Sequence, residues 1–210
     1  MKRIKLGMVG GGQGAFIGAV HRIAARIDDR YQLVAGALSS DPDRAAASAA
    51  ELGIDPTRSY NSFAEMAKAE AARPDGVDAV SIVTPNHLHA DAAVAFLEAG
   101  IHVICDKPLS VSQAEGLRIK RCLQESSAQF FLTHNYTGYP LIREARDMIS
   151  TGKLGKIRVV QAEYAQDWLA EPLETTGQKQ ASWRTDPKAT GGGGAIGDIG
   201  THAYNLVHYV

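Results

Sequence analysis

The stretch that decides the fold lies at the start of the chain, where Ile4-Lys5-Leu6-Gly7-Met8-Val9 runs into Gly10-Gly11-Gly12-Gln13-Gly14-Ala15. The first part is an apolar run of strand length, and the second fits the pattern G-x-G-x-x-G/A. Such a loop needs glycine because its backbone turns sharply and approaches a pyrophosphate without Cβ atoms in the way. The helix that follows offers free N–H groups and a partial positive charge. The stretch therefore predicts a dinucleotide-binding turn, with contacts from Gly10, Gly12, Gln13, Gly14 and Ala15.

Two features of this turn stay open in the sequence. A further glycine, Gly18, makes the third position of the glycine pattern ambiguous. Asp41 is a candidate acceptor for the ribose 2′-OH of NAD, but it is an equally good helix N-cap. Ser39 and Ser40 precede it, and Ser39 with Arg44 would instead suit the 2′-phosphate of NADP. Both NAD and NADP are therefore candidate cofactors.

The residues that follow alternate apolar runs with helical stretches. Runs of strand length are predicted at residues 4–9, 33–38, 77–83, 101–105 and 129–133. They are almost continuously apolar, as expected for strands that are covered on both faces. Strands and helices in alternation imply right-handed crossovers and a parallel, doubly wound sheet. We therefore predict an α/β chain with a Rossmann domain over residues 1–134.

The character of the chain changes after His134. A helix is predicted over about residues 140–151, and a longer strand with one apolar face over residues 156–165. A glycine-rich stretch then leads into a helical pattern that ends the chain without a cap. These elements include too few strands to bury a sheet. We expect residues 135–210 to be the beginning of a second domain, in a truncated form of a longer protein.

The composition excludes several classes of protein. The 210 residues are 45% hydrophobic and 21% charged, which is ordinary for a globular chain. A formal net charge of −1 gives no electrostatic reason to expect nucleic acid or a membrane surface as partner. We find no signal peptide and no apolar run of membrane-spanning length. Cys105 and Cys122 are too few for a disulfide framework. A cytoplasmic protein is expected.

Two polar motifs follow predicted strands, at the sheet edge where open α/β folds bind ligands. Thr84-Pro85-Asn86 follows one strand, and Asn86 is either a cofactor contact or the cap of the next helix. His89 opens that helix and is counted among the candidate cofactor contacts. Asp106-Lys107-Pro108 follows the next strand. Lys107 is either a surface charge or a lysine that the restrained turn before Pro108 holds towards the nicotinamide.

A third motif lies near the C-terminal end, in Gly197-Asp198-Ile199-Gly200-Thr201-His202. It puts a carboxylate and an imidazole four positions apart, on one face if the stretch is helical. A carboxylate one turn before a histidine can hold the imidazole in one tautomer and raise its basicity, as a general base requires. An ordinary helix acid and a packed histidine remain the alternative. No motif has the Cys, His and carboxylate grouping that zinc needs, so no metal is predicted.

Taken together, these motifs resemble those of the Gfo/Idh/MocA oxidoreductases, the glucose-fructose oxidoreductase and inositol dehydrogenase group. The likeness rests on the glycine turn, on Thr84-Pro85-Asn86, on Asp106-Lys107-Pro108 in place of the usual Glu-Lys-Pro, and on Asp198 to His202. It implies an N-terminal Rossmann domain and an open-faced α/β substrate domain commonly used for oligomerisation. A homo-oligomer is expected for the full-length protein.

The resemblance also implies hydride transfer between NAD or NADP and a carbinol carbon of a sugar, polyol or related compound. Lys107 would polarise the reacting oxygen, Asp198 would orient the lysine or the histidine, and His202 would take the hydroxyl proton. The implied cofactor contacts include Thr84, Pro85, Asn86, Asp106 and Lys107. The implied substrate contacts are Lys107, Asn135, Tyr136, Asp198 and His202. Many members carry an aromatic–arginine pair where this chain has residues 135–140, which leaves the particular sugar open.

Two other functions are compatible with the same motifs. A non-catalytic nucleotide sensor or regulator on this fold would have no need of both Lys107 and His202. A lyase or glycosidase that oxidises its sugar transiently would need both, and only product analysis separates it from an enzyme of net oxidation.

Overall fold

The structure is a computed structural model that describes residues 2–210. The chain divides into two compact units, one that ends at Leu132 and one that spans Thr133–Val210. The division falls where the last strand ends, two residues before the boundary predicted after His134.

The N-terminal unit is built on a five-stranded parallel sheet. Its strands are β1 (Ile4–Gly10), β2 (Tyr31–Ala37), β3 (Ala79–Val83), β4 (His102–Cys105) and β5 (Phe130–Leu132). Their order is β2-β1-β3-β4-β5, and every neighbouring pair is parallel. The structure confirms the five predicted strands and the predicted doubly wound α/β class. Strands β2 and β3 lie on opposite sides of β1, so the direction in which strands are added to the sheet reverses at β1. In such a sheet the ligand-binding crevice lies at the carboxyl ends of β1 and β3.

Five helices cover the two faces of this sheet. They are α1 (Phe16–Ile27), α2 (Pro42–Glu51), α3 (Phe63–Ala71), α4 (His89–Glu98) and α5 (Gln113–Glu125). The side chains of Asp41, Ser62 and Ser112 begin α2, α3 and α5 by accepting a backbone N–H bond. The core lies between the sheet and α4, with Ile82, Phe96 and Val103 fully buried. Burial on both faces explains why the strands read as continuous apolar runs.

Helix α1 buries a glycine and exposes apolar side chains. Gly18 is the buried residue of α1. Phe16, Val20, Ile23 and Ile27 form an exposed stripe at helical spacing, and Ile27 is 79% exposed. The apolar periodicity of this segment therefore indicates a helix correctly but does not mark the face that the helix turns towards the sheet.

The regular elements of the C-terminal unit, within its described part, are helices. It contains α6 (Pro140–Ser150), α7 (Lys179–Arg184), α8 (Pro187–Thr190) and α9 (Thr201–Tyr209). A single π-helical turn, Ile196–Gly200, leads directly into α9. Short 3₁₀ turns span Asn135–Gly138 and Leu173–Thr176.

The strand predicted over residues 156–165 is wrong. These residues are exposed and form no ladder with any residue in the described part of the chain. A strand is stable only when its N–H and C=O groups pair with a neighbour and one face is covered. The apolar residues Val159 and Val160 meet neither condition, since they are 83% and 48% exposed.

Across the described residues, no helix combines the length and the apolar character that crossing a membrane requires.

Candidate active site

The turn after β1 has a backbone that favours glycine. Gly10, Gly11 and Gly14 have φ values of 76°, 75° and 74°, which side chains rarely allow. Gly12 has ordinary dihedrals but no room, because a Cβ there would lie 2.7 Å from the carbonyl oxygen of Leu38. The turn is therefore a tight backbone cradle, as the glycine pattern predicts.

Gly18 resolves the ambiguity in the glycine pattern. A Cβ on Gly18 would lie 2.4 Å from the Cα of Gly11, so only glycine lets α1 pack this closely on the loop. Ala15, which fills the third position in the predicted register, has an extended backbone just before the helix begins. Gly18 is therefore the residue that lets α1 pack closely on the loop.

The donors around this turn fit a bound pyrophosphate. No side chain caps the N-terminus of α1, so the first turn of the helix leaves N–H groups for an anion. The turn itself is closed by the Ala15 N–H, which donates to the carbonyl of Gly12 at 3.0 Å. The Gln13 N–H is used within the protein, since it donates to Ser48 Oγ at 3.0 Å. A direct phosphate contact from Gln13 stays a prediction.

The region expected to meet the adenosine ribose is a helix cap. Asp41 Oδ1 accepts from the Arg44 N–H at 3.0 Å, and the Asp41 N–H donates to Ser39 Oγ at 3.1 Å. The bond from Arg44 confirms that Asp41 caps α2, and it occupies one of the two carboxylate oxygens of Asp41. Ser40 and the Arg44 side chain are exposed beside it. The geometry is compatible with either cofactor.

Thr84 and Asn86 lie at the carboxyl end of β3. Asn86 is 6% exposed, and among the described residues no side chain caps α4, whose N-cap position is Leu88, so the capping alternative for Asn86 is wrong. Thr84 Oγ1 is buried and has no hydrogen-bond partner among residues 2–210. A Cβ on Gly10 would lie 3.1 Å from Thr84 Cγ2, so the threonine packs beside the glycine turn. A buried hydroxyl in need of a partner fits a cofactor contact here.

His89 does not fit the predicted cofactor contact. Its ring is fully buried, with Nδ1 2.7 Å from the carbonyl oxygen of Pro108 and Nε2 3.0 Å from that of Thr84. Burial lowers the pKa of His89, which favours the neutral ring. Because both nitrogens already face backbone oxygens, this histidine links two loops of the protein instead of presenting a nitrogen to a ligand.

Lys107 sits between two anchored neighbours after β4. The Asp106 N–H donates to the carbonyl of Ile82 at 2.9 Å, which extends the pairing of β3 and β4. Asp106 Oδ1 lies 3.6 Å from His21 Nε2 on α1. Pro108 is buried, and the Lys107–Pro108 peptide is cis. Lys107 is itself half-buried, and its orientation towards the nicotinamide stays a prediction.

His202, in the C-terminal unit, lies in a cluster of aromatic rings. It is 7% exposed, and its ring centroid lies 4.7 Å from Tyr136 and 5.7 Å from His134. The hydroxyl of Tyr136 is 2.5 Å from that of Tyr164. This hydrogen bond, followed by burial, raises the pKa of Tyr136 to about 12. The structure thus brings together two of the residues expected to meet substrate, Tyr136 and His202, whereas Asn135 is exposed at the start of its turn.

Asp198 has a cationic partner that sequence reasoning missed. Arg184 Nε donates to Asp198 Oδ2 at 3.2 Å. The guanidinium lies over the ring of Trp183 at 4.3 Å and near that of Trp168 at 5.6 Å. Asp198 belongs to the π-helical turn and His202 to the α-helix that continues it. That Asp198 orients His202 or a lysine stays a prediction.

Three residues near the candidate site were not anticipated: His21, Tyr164 and Arg184. Each acts through a partner far away in the chain, so no local spacing reveals it. The only local signal was the Trp183-Arg184 pair, an aromatic residue next to a cation within an otherwise polar stretch.

Comparison with known proteins identifies both units. Residues 4–134 match the family described as "Oxidoreductase family, NAD-binding Rossmann fold", and residues 142–210 match the GFO/IDH/MocA C-terminal domain. Levoglucosan dehydrogenase of Pseudarthrobacter phenanthrenivorans is 32% identical over 218 residues, covering 100% of this chain and 52% of that protein.

Solved structures agree with this assignment. An oxidoreductase from Sinorhizobium meliloti is 56% identical with a TM-score of 0.87, covering 100% of this chain and 53% of that one. An inositol dehydrogenase homolog from Azotobacter vinelandii, in complex with NADH and myo-inositol, is 38% identical with a TM-score of 0.89. That match covers 99% of this chain and 52% of the other. The chain thus spans about half the length of the relatives it matches, and it belongs to the GFO/IDH/MocA family of oxidoreductases with an NAD-binding Rossmann fold.

Proposed function

We propose that the full-length protein is an NAD(P)-dependent dehydrogenase that oxidises a CH–OH group of a sugar or polyol. The observation that carries the proposal is the position of Lys107: half-buried, directly after β4, at the sheet edge where β1 ends in the glycine turn. Relatives support the substrate class, since one is a levoglucosan dehydrogenase and another was solved with myo-inositol.

The N-terminal unit would hold the cofactor. The cradle from Gly10 to Gly14 and the uncapped start of α1 would receive the pyrophosphate, and the buried Thr84 hydroxyl would find a partner there. When bound, the nicotinamide supplies the hydride acceptor or donor. Lys107 would place a positive charge beside the reacting oxygen and so stabilise its developing negative charge.

The C-terminal unit would supply the proton acceptor. An imidazole at 7% exposure, packed on Tyr136, is held in one orientation before substrate arrives. In its neutral form His202 would take the proton of the hydroxyl group that is oxidised. Asp198, paired with Arg184, would lie in the preceding turn.

The paired hydroxyls of Tyr136 and Tyr164 favour a substrate rich in hydroxyl groups. A phenol can donate and accept at once, so two adjacent phenols can bind adjacent hydroxyls of a sugar ring. Asn135, exposed in the same turn as Tyr136, adds an amide with both donors and an acceptor.

A substrate screen on the full-length protein tests the proposal. NADH and NADPH absorbance would be followed with sugars, anhydrosugars and polyols, and the products identified so that net oxidation is separated from transient oxidation. Lys107→Ala and His202→Ala should each lower kcat by roughly 100-fold or more while cofactor affinity is kept. Lys153→Ala and His208→Ala, at exposed positions, are the matched controls. Unchanged turnover in both active-site variants would refute the catalytic assignment.

A further inference from the structure

The segment that carries Lys107 is held by a buried histidine from α4. His89 is fully buried, and its two ring nitrogens lie 2.7 Å from the Pro108 carbonyl and 3.0 Å from the Thr84 carbonyl. A neutral imidazole has one N–H, and the shorter contact assigns this proton to Nδ1, which donates to Pro108. With that tautomer the hydrogen bond ties the residue after Lys107 to the start of α4, and Nε2, which then carries a lone pair, lies against the Thr84 carbonyl without a hydrogen bond.

A second histidine reaches the residue before Lys107. His21, on α1, has Nδ1 2.8 Å from Ser81 Oγ and Nε2 3.6 Å from Asp106 Oδ1. The side chains of His21 and Asp106 are only 12% and 18% exposed, and Ser81 is buried within β3. When the Ser81 hydroxyl donates to Nδ1, the remaining N–H of the ring points to the carboxylate. His21 thus hydrogen-bonds to the sheet through Ser81 and lies beside the Asp106 carboxylate, at a distance beyond that of a hydrogen bond.

Lys107 is the residue between these two attachment points. The backbone just before Lys107 is also held, because the Asp106 N–H donates to the carbonyl of Ile82 in β3. None of these three contacts involves the lysine amine, so each acts on Lys107 by positioning it. A displacement of about 1 Å of a reacting group can cost roughly 100-fold in rate.

On the basis of the function proposed above, we propose that His21 and His89 are positioning residues that hold the Asp106–Pro108 segment from two sides and thereby set the position of the Lys107 amine. His89 is the stronger of the two, because it is fully buried and its shorter contact is a direct hydrogen bond to the backbone. His21 acts through the Asp106 carboxylate at a longer distance.

Substitution of His89 in the full-length protein tests this role. His89→Phe keeps a buried ring but removes both nitrogens, and it should lower kcat by roughly 10-fold to 100-fold with little change in substrate KM. His89→Gln restores one donor and should recover part of that loss. His21→Phe should lower kcat less than His89→Phe. Phe96→Leu, at another fully buried position of α4, is the control: it should reduce stability and leave kcat near wild type.

Hydrogen exchange supplies a readout that needs no substrate. Amide exchange in peptides spanning residues 106–112 should be faster in His89→Phe than in wild type, and unchanged in Phe96→Leu. If the wild-type protein oxidises no sugar or polyol, the proposed function fails. The exchange comparison still tests whether His89 holds the Asp106–Pro108 segment. Wild-type kcat or wild-type exchange in His89→Phe would overturn the inference. Should that variant not fold, the same two results in His89→Gln would overturn it.

Discussion

The two units of this chain show how differently an apolar sequence behaves with and without partners. In the N-terminal unit, each predicted strand pairs with neighbours, and β3 is buried at every position. In the C-terminal unit, residues 156–165 have one predicted apolar face but remain exposed, with no ladder to any residue that the structure describes. A local pattern therefore predicts a strand only to the extent that the rest of the chain supplies a sheet for it to join.

The largest loss of stability is expected when a buried ion pair in the N-terminal unit is broken. The carboxylate of Glu70 is buried and accepts bonds from Arg58, from the Tyr60 hydroxyl at 2.8 Å and from the Val77 N–H at 3.0 Å. Glu70→Ala removes the buried partner of Arg58, leaving that charge only the contact of 3.9 Å to the Asp75 carboxylate, and should lower the free energy of unfolding by about 3–5 kcal/mol. Denaturant titration measures this loss.

The control for Glu70→Ala is an exposed pair in the same unit. Asp91 pairs with Arg118 on the surface, where both side chains are about half exposed. Asp91→Ala should cost less than about 1 kcal/mol, because water replaces the lost contact. Equal losses in the two variants would contradict the view that burial makes the difference.

One substitution made in both units addresses the contrast directly. Val80→Thr, at a fully buried position of β3, places a hydroxyl in an apolar core and should cost about 1–3 kcal/mol. Val159→Thr, at a position that is 83% exposed, should change stability by less than about 0.5 kcal/mol. Unfolding curves of the two variants provide the comparison. A large loss for Val159→Thr would mean that residues 156–165 are packed in solution.

The last prediction concerns the stability of the N-terminal unit at alkaline pH. Burial, followed by the hydrogen bond to Glu70, raises the pKa of Tyr60 to about 12. Since unfolded tyrosine has a pKa of about 10, the contribution of Tyr60 is complete below about pH 10 and is lost as pH rises through about 12. Tyr60→Phe should flatten this part of the stability–pH curve. Tyr204→Phe, at a position 72% exposed, should leave the curve unchanged.

The site could be predicted only in part, and the reason is the distance along the chain over which its contacts form. The glycine turn was predictable because strand, loop and helix are adjacent in sequence, and each has its own signal. His89 was misassigned because a histidine at the start of a helix has the same local pattern whether it is solvated or buried. Its partner Pro108 is 19 residues away, and only folding brings them together.

The sequence by itself determined the number, type and parallel arrangement of the strands in the first unit, together with the loops at their carboxyl ends. Those properties depend on apolar periodicity and on glycine, which act over a few neighbouring residues. Tertiary structure alone decided that Gly18 packs on Gly11, that Arg184 meets Asp198, and that residues 156–165 form no strand. Each of these depends on which distant surfaces meet, because close packing and ion pairing require a partner that the local pattern does not contain.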